Sequence, residues 1–155
     1  MAGQIDAHLQ ELGIELPEPA APVANYVAYV VTGNLIFVSG QVPLEGGEFK
    51  YIGKVGGELS VEEGQAAARL CGINIIAQVK KALDGDLDRV RRVVKLVGFV
   101  NSTPEFTQQP QVINGVSDLI GEVFGDKGKH ARAAVSAGSL PLGVAVEVDA
   151  VVEFA

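Results

Sequence analysis

Two charges stand out in the closing stretch KHARAAVSAGSLPLGVAVEVDAVVEFA: Arg132 in one run of small and β-branched residues and Glu147 in the next. An arginine side chain is a planar fork of N–H donors that grips a carboxylate with two parallel bonds. A glutamate carboxylate accepts hydrogen bonds from a water molecule and orients it for attack. Together they suit a small anionic substrate and a hydrolytic step. They equally suit a structural ion pair, since paired charges in apolar surroundings often do nothing more. Residue types alone leave both readings open.

The remaining reactive side chains are few. Cys71 is the only cysteine, which excludes an intrachain disulfide and a cysteine metal site. It sits in the apolar run LCGINIIAQV and reads as a small core residue. His8 and His130 are the only histidines, so no histidine cluster can form. The glycines between Gly46 and Gly57 lack the strand–loop–helix context and the GK[ST] ending of a phosphate loop, and read as turns. Asn74 reads as a partner for buried backbone groups.

The elements that would position Arg132 and Glu147 follow from periodicity. Residues Ala2 to Leu12 suit a short helix ending at Gly13, and LPEPAAP is an extended linker because proline disfavours helix around it. YVAYVVTGNLIFVSG reads as a hairpin about Thr32-Gly33-Asn34. Ser60 and Glu63 form a capping box that opens a helix running to about Leu83. RVRRVVKLVGFVNS reads as a strand. From about Gln108 to Phe124, Val112, Ile113, Val116, Leu119, Ile120, Val123 and Phe124 make one helical stripe. Asn114 and Gly121 point away from it, and on periodicity alone Asn114 faces solvent.

The closing stretch reads as a second hairpin turning at Leu140-Pro141-Leu142-Gly143, with Arg132 and Glu147 on antiparallel neighbours. Its returning limb alternates, with Val144, Val146, Val148, Ala150, Val152 and Phe154 on one face. Glu147, Asp149, Val151 and Glu153 share the other. The predicted architecture is α+β, a sheet with two helices on one face. The Val face meets the helices, so Glu147 looks away from the monomer core.

Composition sets the outer bounds. A chain of 155 residues fits one domain. Its 48% hydrophobic and 20% charged content leaves more apolar surface than a monomer can bury, which predicts a subunit interface. A net charge of −7 argues against a general nucleic-acid binder. The basic residues Lys80, Lys81, Arg89, Arg91, Arg92 and Lys95 alternate with Asp84, Asp86 and Asp88 and read as a solvated helix end and strand edge. No apolar run reaches the roughly 18 residues a membrane span needs, and no signal peptide opens the chain, so a cytoplasmic location is expected.

NYVAYVVTGNLIFVSGQVP, FVNSTPEF, HARAAV and SLPLGVAVEVDAVV, in this order, resemble the YjgF/RidA family of reactive enamine and imine deaminases, also labelled "endoribonuclease L-PSP", in its longer-chain branch. The resemblance runs from about Pro22 to Phe154, which makes residues 1–21 an N-terminal extension and 22–155 the family domain. It implies a chorismate-mutase-like mixed sheet, a homotrimer built around a central barrel, and sites in the clefts between subunits. It implies no cofactor and no metal.

By the same resemblance, Arg132 binds the substrate carboxylate and Glu147 holds the attacking water. Tyr26, Gly40 and Asn114 match further substrate-binding positions. Ala134 stands where many members carry cysteine. The implied activity is hydrolysis of 2-imino acids, or of their 2-aminoacrylate-type tautomers, to 2-keto acids and ammonia. The alternatives are a carboxylate-binding sensor without turnover and, further off, a ribonuclease. A pericyclic enzyme rests on fold analogy alone.

Overall fold

The computed structural model describes residues 3–155. The predicted N-terminal helix is seen as α1 (Gln4–Glu11); Ala2 lies outside the described residues. α1 has no side chain of its own to cap it. Asp88, far along the chain, does so instead: its two carboxylate oxygens each accept at 2.9 Å, from the Gln4 and Ile5 N–H groups. Leu9 is buried in the common core, and Lys80 pairs with Asp6 at 2.9 Å.

The first hairpin forms as expected, with β1 (Tyr29–Thr32) and β2 (Leu35–Gln41) joined through Gly33-Asn34. The glycine-rich loop folds into a small separate hairpin, β3 (Leu44–Glu45) with β4 (Glu48–Phe49). α2 (Val61–Ala82) opens on the capping box: Ser60 accepts from the Glu63 N–H, and the Glu63 carboxylate accepts from the Ser60 N–H, both at 3.1 Å. β5 (Val90–Asn101), α3 (Gln109–Phe124), β6 (Ala131–Ala137) and β7 (Val146–Phe154) complete the chain. All seven residues of the α3 stripe are buried. The helices pack closely where Gly115 of α3 meets the backbone of Gln65 on α2, a contact a Cβ would obstruct.

The main sheet has the order β1-β2-β7-β5-β6. β6 runs parallel to β5, and β7 runs antiparallel to both β5 and β2. The expected closing hairpin is therefore corrected: β6 and β7 are consecutive in the chain, but β5 lies between them. The physical reason is that the residues after the Pro141–Gly143 turn find other partners. Ala145 N–H donates to Tyr51 O, Asn101 N–H donates to Ala145 O, and Gly53 N–H donates to Gly143 O. These bonds draw the chain across the end of β5 before β7 begins.

Alternation along β7 follows the sequence. Val146, Val148, Ala150 and Val152 are buried against the helices, while Glu147, Asp149, Val151 and Glu153 are part-exposed on the opposite face. Among the described residues, no helix covers that face. Val30 (50% exposed) and Phe37 (44%) adjoin on it across β1 and β2, and Val135 (45%) lies beyond Phe99 at the far edge. Among the described residues, no helix is long and apolar enough to cross a membrane.

Candidate active site

β6 is an edge strand, and Arg132 leaves it toward α3. Arg132 pairs in register with Leu96, whose side chain is fully buried beneath the helices. Adjacent residues in register share a face, so Arg132 lies on the helical side of the sheet. Its Nη1 donates to Asn114 Oδ1 at 2.8 Å and to Ser117 Oγ at 3.1 Å, and Nη2 donates to Pro110 O at 3.3 Å. Pro110, Asn114 and Ser117 stand at i, i+4 and i+7, one stripe of α3 that flanks its apolar stripe on the side facing β6. A guanidinium has five N–H donors. Three are held by α3, and two remain, the number a bidentate carboxylate grip uses.

Glu147 is half-buried in the middle of the uncovered face, paired with Phe99 of β5. Burial raises its carboxyl above the ordinary glutamate value, and the neighbouring charge of Asp149 raises it further. Asp149 is raised by burial too, against the opposing pull of Lys95. Gly40 lies against Glu147 at the irregularity in β2: a Cβ there would sit 2.6 Å from Glu147 Oε2. A carboxylate so placed is a better proton acceptor than an exposed one.

Arg132 and Glu147 do not meet within one chain. Two strand spacings separate them across the sheet, roughly 10 Å, and the three-residue offset between Leu96 and Phe99 adds roughly 10 Å along it. The odd offset also puts them on opposite faces. No ion pair between them exists among the described residues, so the structural-pair reading within a hairpin is excluded.

The other expected site residues divide accordingly. Asn114 touches Arg132, and Ala134 is two residues along the same strand and part-buried against the core. Gly40 accompanies Glu147. Tyr26 is 56% exposed in the turn ahead of β1, at the sheet edge opposite β6. Sequence reasoning missed Ser117, although it stands three residues after Asn114 and shares its helical face. Cys71 is fully buried, with Sγ 3.6 Å from Val146 O. Burial, aided by the charge of Glu147, pushes its thiol well up, away from thiolate chemistry. Asn74 donates to Val42 O and Leu44 O at 2.9 and 3.0 Å, securing the small hairpin.

This fold and these motifs place the chain in a defined class. Residues 6–154 match the family model described as "YjgF/chorismate_mutase-like, putative endoribonuclease", and the chain belongs to that family. It is 55% identical over 153 residues to protein TCP17 of Trypanosoma cruzi, covering 98% of this chain and 95% of that one. A crystal structure of an Agrobacterium tumefaciens protein of unknown function is 52% identical and superposes with a TM-score of 0.92, covering 97% of this chain and 92% of that one. A Shewanella oneidensis structure described as a "putative endoribonuclease" is 36% identical, with a TM-score of 0.94 and coverage of 98% and 100%.

Proposed function

We propose that this protein hydrolyses reactive 2-imino acids and their enamine tautomers to 2-keto acids and ammonia. The observation that carries the reading is Arg132, held by α3 through three donors and left with two for a carboxylate. Arg132 fixes the substrate carboxylate. Glu147 holds a water molecule against the imine carbon and takes one of its protons as the new C–O bond forms. That proton passes to the nitrogen, the new hydroxyl gives up the second proton to it through Glu147 as the C–N bond breaks and the C=O bond forms, and ammonia leaves the keto acid. Water is the only co-reactant. Holding the reactants in place and matching charge supply the acceleration for so labile a substrate.

Because Arg132 and Glu147 lie on different strands and faces, the working site takes them from two copies of the chain. The uncovered apolar face supplies the surface for that assembly, and a homotrimer is the form we propose. Its location is proposed as cytoplasmic.

The test couples an amino-acid oxidase to the protein and follows imine loss. Arg132→Lys keeps the charge but cannot make the planar grip, so kcat/KM falls at least about tenfold. Glu147→Gln still binds 2-keto acids but turns over slowly, by a factor of about 100 or more. Variants that match wild type in rate would sink the reading. Retained binding with no turnover in wild type would make it a carboxylate sensor. The family's endoribonuclease label favours RNA cleavage as a second reading. Yet His130 is hydrogen-bonded at both ring nitrogens, and so is His8, to Glu122 O at 2.7 Å and to Glu11 Oε2 at 3.4 Å, so neither imidazole is free to serve as the acid–base pair.

A further inference from the structure

Ser117 and His130 make a contact that the proposed chemistry does not use. Ser117 Oγ lies 2.9 Å from His130 Nε2, and His130 Nδ1 lies 2.6 Å from Gly128 O. The partners settle the proton positions. A carbonyl oxygen only accepts, so in the neutral imidazole Nδ1 carries the hydrogen and Nε2 is the acceptor. Ser117 Oγ accepts from Arg132 Nη1 and directs its own hydrogen to Nε2. One chain of donors therefore runs from Arg132 through Ser117 and His130 to Gly128. Its far end is firm, because Gly128 is buried and lies tight against α3: a Cβ there would sit 2.5 Å from Ile120 O.

We propose that Ser117 and His130 are positioning residues that orient Arg132 for its carboxylate, and this rests on the reading of Arg132 given above. A helical serine left alone turns its hydroxyl back to the carbonyl four residues earlier. The acceptor on His130 holds it outward in one rotamer, so Ser117 and Asn114 together occupy both Nη1 hydrogens. The two donors left on the guanidinium then face the ligand in one orientation, and binding costs less ordering.

The test titrates wild type, Ser117→Ala, Ser117→Thr, His130→Leu and His130→Gln with 2-ketobutyrate and measures imine turnover on the same preparations. Ser117→Ala loses one bond to the charged group and His130→Leu loses the acceptor that holds that bond in place, so each weakens keto-acid binding about tenfold. KM rises with kcat largely kept, because the carboxylate is gripped in ground and transition states alike. Ser117→Thr keeps the hydroxyl and His130→Gln keeps an acceptor, and both recover affinity. Unchanged affinity in the Ala and Leu variants, or no recovery in the Thr and Gln variants, overturns the proposal. Wild type that binds keto acid without turning over imines removes the deaminase reading and leaves this test intact on affinity. Wild type that binds no keto acid removes the carboxylate reading, and the positioning network is then read from the Arg132 guanidinium nitrogens by NMR. Separate Nη signals in wild type that average in Ser117→Ala and His130→Leu sustain it; averaged signals in wild type overturn it.

Discussion

At Glu147 one carboxylate carries two opposed demands. Burial raises its proton affinity, which suits a group that must draw a proton from water. The same burial favours the neutral form in the folded state, so at neutral pH the charged group weakens the fold. That cost is relieved as pH falls through the raised value, and under the proposed function turnover should fall over the same range because the protonated acid no longer accepts. Gly40 sets where the carboxylate rests. Gly40→Ala would bring a methyl against Oε2, and the long glutamate side chain can swing aside. Stability should change by less than about 1 kcal/mol in chemical denaturation, whereas imine turnover should fall about tenfold or more as the carboxylate leaves its place. An unaltered rate would show that the position of Glu147 is not critical.

At the scale of elements, α1 depends on a residue far away in sequence. The Ile5 and Gln4 N–H groups hold the Asp88 carboxyl below its ordinary range. A lowered value stabilises the fold above the unfolded-state pKa and ceases to do so as pH falls through the folded one. Asp88→Ala should therefore cost about 1 kcal/mol at neutral pH, and less in strong salt because the group is largely exposed. Urea titrations at neutral pH and well below the carboxylate range check the sign: an equal cost at both would rule out the charge as the cause. Such contacts mark the limit of what periodicity shows. The capping box of α2 and the apolar stripe of α3 are local patterns, and both helices lie where those patterns place them. So does the alternation of β7. Pairing partners are not encoded by alternation, and the short turn after β6 suggested a hairpin that Tyr51 and Asn101 prevent. The site suffers in the same way: Arg132 was visible as an isolated charge, but Ser117 matters only because β6 lies beside α3.

Across the whole molecule, the sheet is covered by helices on one face and bare on the other, with Phe37, Val30 and Val135 exposed beside two part-buried acids. That asymmetry and the separation of Arg132 from Glu147 both point to a second copy of the chain. Mixing variants isolates the claim. Under the proposed reading, Arg132→Ala and Glu147→Gln chains should each be strongly impaired as pure assemblies. In an assembly containing both, some clefts pair the intact Arg132 of one chain with the intact Glu147 of the other. Co-refolding the two at equal ratio should restore activity, and for a random trimer about a quarter of the sites recover both native groups. Subunits that work alone give no restoration at any ratio, because every chain then lacks one half of its own site. Light scattering on the mixture must show an assembled species at the same time. Restored turnover in a monomer would contradict the shared cleft as firmly as no restoration in a trimer.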